Sequence, residues 1–155
     1  MNKKILIVDD DRSILDSLSK LLRLEGYDVA LADDGQTAVE KILQEHIDLL
    51  LLDLGLPLKD GSVTLNWLKQ VNLLSPVVII TGRSHQRELA EKAGADALME
   101  KPLDVPRLLQ TIQELVDEPV ASRIHRALHR PASFRYVSCD RERGREPQSE
   151  RFTAP

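Results

Sequence analysis

The stretch Ile47-Asp48-Leu49-Leu50-Leu51-Leu52-Asp53-Leu54-Gly55-Leu56-Pro57 decides how this chain folds. Its six apolar residues stand in a near-continuous run, the pattern of a strand buried on both faces in a parallel sheet covered by helices. Asp53 closes the run, and Gly55, Pro57 and Gly61 then break regular structure. In an open α/β sheet the carboxyl end of a strand is where ligand sites lie. A solvated loop acid would not normally follow an apolar strand so directly, so Asp53 is read as functional.

The same grammar repeats outward from this stretch. Lys4-Ile5-Leu6-Ile7-Val8 reads as a first buried strand closed by Asp9-Asp10-Asp11, and Ile14, Leu15, Leu18, Leu21 and Leu22 then follow the helical period up to a stop at Gly26. Tyr27 to Leu31 is a short second strand. Asp33-Asp34-Gly35 turns the chain into a helix marked by Ala38, Val39, Ile42 and Leu43. After the central stretch, Val63, Leu65, Trp67, Leu68 and Val71 predict a third helix, with Trp67 read as packing. Pro76 to Ile80 is a fourth strand closed by Thr81-Gly82, followed by a thinly anchored helix from Gln86 to Ala93. Ala97 to Met99 is a fifth strand closed by Glu100-Lys101-Pro102, and Val105 to Val116 is a last helix whose buried stripe is Leu108, Leu109, Ile112 and Leu115.

Strict alternation of strand and helix argues a parallel sheet with helices on both faces. Right-handed crossovers then place all five strand ends on one edge. Asp9, Asp10, Asp53, Thr81 and Lys101, scattered in sequence, are therefore expected to converge.

Composition sets the surroundings of this core. A chain of 155 residues with 42% hydrophobic and 30% charged residues is read as one soluble domain. It has no apolar run of the length a membrane span needs, and Met1-Asn2-Lys3-Lys4 leads straight into a strand rather than a signal peptide. The single cysteine, Cys139, fits a reducing compartment, so a cytoplasmic location is expected. His46 stands at a helix end as a capping or exposed residue, and no His/Cys spacing suggests zinc.

Charge divides the chain near Glu118-Pro119. Residues 1–118 carry 13 Lys+Arg against 21 Asp+Glu, and residues 119–155 carry 8 against 4, which together give the net −4. Residues 1–118 are read as the domain and 119–155 as a basic tail. Val120, Ile124, Ala127 and Leu128 predict a short helix over 120–130 that Pro131 ends. Beyond it the Arg/Glu/Ser/Pro-rich segment lacks the apolar residues for a core, and disorder is expected. Nucleic-acid binding is not expected, although the basic tail leaves it open.

Three carboxylates brought together raise one another's pKa values and need a cation. Lys101 can neutralise one, and a hard divalent ion with oxygen ligands suits the others; Mg²⁺ fits a site of few carboxylates and several waters. With a hydroxyl at Thr81 and an ammonium at Lys101, Asp53 is equipped to attack phosphorus and keep the product as an aspartyl phosphate.

Four segments carry a family resemblance: Val8-Asp9-Asp10-Asp11, Leu52-Asp53-Leu54-Gly55-Leu56-Pro57 with Asp60-Gly61, Ile80-Thr81-Gly82, and Glu100-Lys101-Pro102-Leu103. In order and spacing, over about residues 3–118, they resemble the signatures of the response-regulator receiver domain. The resemblance implies a flavodoxin-like (βα)5 three-layer sandwich, its five parallel strands ordered 2-1-3-4-5. It implies a two-component phosphorelay protein that takes a phosphoryl group onto Asp53 from a sensor histidine kinase or phosphotransfer protein and switches a surface for a downstream protein, with a homodimer allowed. By position, Asp10 would bind Mg²⁺ directly, Asp9 largely through water, and Gly55 through its backbone carbonyl. Thr81 would be the switch hydroxyl, Lys101 the phosphoryl-binding lysine, and the Lys101–Pro102 bond cis. Two departures stand out. Leu98 occupies the position where the family usually has Tyr or Phe, and Gly55 and Arg83 occupy positions that tune water access.

Two rival readings remain beside this one. A degenerate receiver would act as a constitutive binding module. A phosphohydrolase would use Asp53 as a transient nucleophile, but such enzymes generally carry a second acid where this chain has Gly55.

Overall fold

A computed structural model describes residues 2–53, 75–83, 86–128 and 134–138. The expected third helix around Trp67, the expected Leu56–Gly61 loop, Gly55 and Cys139 lie outside the described residues.

The four interior apolar runs become strands because nothing else would bury them. Strands β1 (Lys4–Val8), β3 (Leu49–Asp53), β4 (Val77–Thr81) and β5 (Ala97–Glu100) are buried along almost their whole lengths, while β2 (Asp28–Ala32) alternates as befits an edge. Helices α1 (Arg12–Leu24) and α2 (Gly35–Gln44) start on acids that supply the missing hydrogen bonds of a first turn. Asp11 accepts from the Ser13 N–H and Asp34 from the Thr37 N–H. Helix α4 (Val105–Val116) uses Asp104 in the same way, with Pro106 in its first turn. The shorter α3 (Arg87–Ala93) has no side-chain cap at Gln86 and ends on Gly94 in the left-handed conformation.

All pairings are parallel, and the sheet runs β2-β1-β3-β4-β5-β6. The first five strands follow the flavodoxin-like order expected. Two apolar clusters sandwich the sheet. One joins Leu6, Leu50, Leu52, Ile79 and Leu98 to Ala38 of α2 and Ala90 of α3; the other joins Ile5, Leu49, Leu51, Val78 and Met99 to α1 and α4. Strand residues point alternately up and down, so one strand feeds both clusters and three layers result.

The tail departs from expectation in one part, beyond the short helix that was expected over 120–130. After Pro119 the chain forms α5 (Val120–Leu128), whose Arg123 guanidinium donates to the Val116 and Leu115 carbonyls at the end of α4. Disorder was expected beyond Pro131, yet residues 135–137 form β6 and add a sixth strand beside β5. The physical reason is the open edge of β5. Its side chains are buried while its outer backbone groups lack a partner strand, and a short segment with hydrogen-bonding capacity satisfies them without needing a core of its own.

Candidate functional site

Register fixes the site. Val8 lies opposite Leu52, Asp53 opposite Ile80, and Thr81 opposite Glu100, so the parallel strands end level with one another. Asp9 follows the last residue of β1, Asp53 and Thr81 are the last residues of β3 and β4, and Lys101 follows β5. Each sits at the carboxyl rim because its preceding apolar strand is anchored in the core.

The rim is acidic and half sunk into the fold. Asp9, Asp53 and Thr81 are buried and Asp10 is exposed. Ligand oxygens of Asp9, Asp10 and Asp53 all lie within 4.8 Å of one another. Lys101 reaches over them, its Nζ 3.3 Å from Asp53 Oδ2 and 3.5 Å from Asp9 Oδ2. One ammonium thus faces two buried carboxylates with a third acid beside them. The turn carrying Lys101 is pinned to β4, since the Lys101 N–H donates to the Thr81 carbonyl at 2.8 Å. The Lys101–Pro102 peptide is cis, as the resemblance implied.

The electrostatics point the same way. Burial pushes the Asp9 carboxyl up from its ordinary 3.8 to about 6; the Asp53 charge adds to the rise, and the Asp11 N–H and the Lys101 charge oppose it. Asp9 is held in place because its Oδ1 accepts from the Asp11 N–H at 2.9 Å. The Thr81 hydroxyl oxygen accepts from the Arg83 N–H at 3.0 Å, which fixes its position at the rim. A donor set of hard oxygens carrying surplus negative charge fits a divalent cation of the Mg²⁺ class.

The structure brings Asp9, Asp10, Asp53 and Lys101 together, with Thr81 on the adjacent strand end. The sixth predicted residue, Gly55, lies outside the described residues. Sequence reasoning missed Glu100 and Tyr136. The Tyr136 hydroxyl donates to Glu100 Oε1 at 2.6 Å, next in the chain to Lys101. Tyr136 also pairs in the ladder with Leu98, the position where an aromatic ring was expected and a fully buried leucine stands. Only the aromatic residues within an otherwise polar tail could have hinted at this contact.

The profile of the response regulator receiver domain matches residues 5–113, and the chain belongs to that family. It is thus a receiver domain of the kind found in two-component systems. The transcriptional regulatory protein CpxR of Escherichia coli is 40% identical over 115 residues, which is 73% of this chain and 49% of that protein. The alkaline phosphatase synthesis transcriptional regulatory protein PhoP of Bacillus subtilis is 41% identical over 104 residues, 66% of this chain and 43% of PhoP. The chain therefore spans about half the length of the curated relatives it matches. Among solved structures, a CheY-like receiver domain protein from Methanospirillum hungatei has a TM-score of 0.71 at 35% identity, over 76% of this chain and 95% of that one. TrrA from Thermotoga maritima, solved in complex with Mg²⁺ and BeF, has a TM-score of 0.67 at 29% identity, over 73% of this chain and 98% of its own. Its strand order, acidic rim and relatives mark the chain as a signalling module, and among the described residues no helix is long and apolar enough to cross a membrane.

Proposed function

We propose that this chain is a working phosphoacceptor whose Asp53 carries the phosphoryl group. The observation that supports this most is the pairing of a buried Asp53 with the Lys101 ammonium 3.3 Å away at an acidic rim. An Asp53 carboxylate oxygen attacks the phosphorus of a phosphohistidine on a histidine kinase or phosphotransfer protein. The new P–O bond forms as the P–N bond to the donor breaks, and the imidazole leaves with a proton. Lys101 lies where it can follow the charge from the carboxylate to the phosphoryl oxygens, and Thr81 offers a hydroxyl from the neighbouring strand.

Asp9, Asp10 and Asp53 would hold Mg²⁺, with the Gly55 carbonyl as the backbone ligand the family pattern supplies. When bound there, the ion supplies positive charge that offsets repulsion between the carboxylates and the incoming phosphoryl group. The protein's own share is positional: β1 and β3 deliver the acids, and the Thr81–Lys101 backbone bond ties the cationic arm to β4. Phosphorylation then turns the single charge of the Asp53 carboxylate into about −2 on an acyl phosphate, a change of about −1 that reorganises neighbouring donors and the surface they support. The output is a change in binding to a downstream protein in the cytoplasm, not turnover of a metabolite.

The test is labelling by acetyl phosphate with Mg²⁺, read by intact mass. The wild-type chain gains one phosphoryl group, and Asp53→Asn gains none. Equal labelling of both would overturn the assignment. A wild-type chain that binds Mg²⁺ yet never gains the mass would favour the constitutive binding module, a reading to which the ring-free Leu98 position lends support.

A further inference from the structure

The β5 edge is already in use. Residues 134–138 return from the tail and lay β6 along it in parallel, with Ala97 opposite Arg135, Leu98 opposite Tyr136 and Met99 opposite Val137. The Arg135 N–H donates to the Asp96 carbonyl at 3.2 Å and begins the ladder. Side chains then alternate to the two faces of the sheet. Phe134 packs against the cluster on the α2 and α3 side, and the Tyr136 ring lies under the Arg87 guanidinium of α3, 5.1 Å from its centroid. Val137 joins the cluster on the α1 and α4 side, where Arg135 pairs with Glu114 of α4. Each of four consecutive residues has its own receptor on the domain.

We propose that Phe134-Arg135-Tyr136-Val137 is an intramolecular ligand of a strand-docking site built from β5, α3 and α4, and that the tail closes this site to other extended segments. Two features separate this from a permanent sixth strand. The ladder is only three residues long, and its Arg135–Glu114 ion pair is half-exposed, of the kind that contributes little in water. The edge beneath it is the opposite: Ala97, Leu98 and Met99 are fully buried and present a row of backbone groups that any extended chain can pair with. A short, weakly held strand thus covers a durable edge. A partner that uses the edge must bring an extended segment with an aromatic–basic–aromatic–aliphatic pattern and must displace the tail. Tyr136 also bonds to Glu100, beside Lys101, so the docked strand touches the same turn that serves the rim.

The test uses the full chain and a fluorescent synthetic peptide of residues 132–138, Ala-Ser-Phe-Arg-Tyr-Val-Ser. Tyr136→Ala removes the ring under Arg87 and the bond to Glu100 at a half-exposed position, so the domain keeps its fold. The peptide is expected to bind Tyr136→Ala at least about tenfold more tightly than wild type, a ratio worth about 1.4 kcal/mol. Arg135→Glu, facing Glu114, should open the site too, and Glu114→Arg combined with Arg135→Glu should close it again. Hydrogen exchange supplies the second readout: amides of residues 97–100 exchange faster in Tyr136→Ala and slow again when the peptide is added. Equal peptide binding by wild type and Tyr136→Ala would overturn the proposal. So would a β5 edge that exchanges no faster in the variant, or one that opens and still ignores the peptide.

Discussion

At the scale of single residues, Asp9 shows what the rim demands. Its carboxyl sits at about 6, raised first by burial and then by the Asp53 charge, so the folded chain holds this proton more tightly than the unfolded chain does. The stability this group contributes is therefore complete below its ordinary 3.8 and is lost as pH rises through about 6. In metal-free buffer, urea unfolding of the wild type is expected to show that loss, and Asp9→Asn to lack it. The comparison is clean because Asp11, Asp34, Glu45 and Glu114 are all lowered by hydrogen bonds or ion pairs, so their losses come at more acid pH and are shared by both chains. If the two pH profiles run parallel between 4 and 6.5, burial is not what governs Asp9. A cation must also compete with that proton, so Mg²⁺ affinity is expected to weaken as pH falls below about 6.

At the scale of elements, the apolar runs and the acids that follow them carry most of the information. Leu49 to Leu52 could scarcely be anything but an interior strand, and Asp33-Asp34-Gly35 reads directly as the turn into α2, whereas the Asp104 cap of α4 comes from the structure alone. What escaped was β6. Phe134 to Val137 is too short for a period to register, and what makes it a strand is the unpaired edge of β5, whose ladder partners stand 38 positions earlier (Ala97 opposite Arg135). Leu98 was legible as a departure from the family pattern, but not the tyrosine that stands beside it. The packing of α1 makes a quantitative prediction. Leu22 is fully buried against the β1 and β3 face, so Leu22→Ala should cost about 2–5 kcal/mol in chemical denaturation. A loss well under 1 kcal/mol would mean that α1 repacks and does not hold the sheet as described.

At the scale of the whole molecule, the sheet separates two kinds of work. Its carboxyl rim gathers charge from three strand ends and a hydroxyl from a fourth, and its β5 edge accepts a strand from the tail. The rim followed from the sequence because parallel alternation forces the strand ends together whatever lies between them. The edge did not, because it depends on where a polar tail returns in space. Exposed Val120, Ile124 and Leu128 on α5 show that the tail's helix leaves much of its apolar face uncovered, while Arg123 ties it to the end of α4 and β6 pairs with β5.

The central claim is that distant strand ends form one pocket for a metal and a phosphoryl group, and a crystal structure of the full chain with Mg²⁺ and beryllofluoride tests it most directly. The account predicts the beryllofluoride on an Asp53 carboxylate oxygen, the ion held by Asp9, Asp10 and Asp53, and the Lys101 Nζ on a fluoride. Beryllofluoride on another residue, or an ion bound away from these acids, would contradict it.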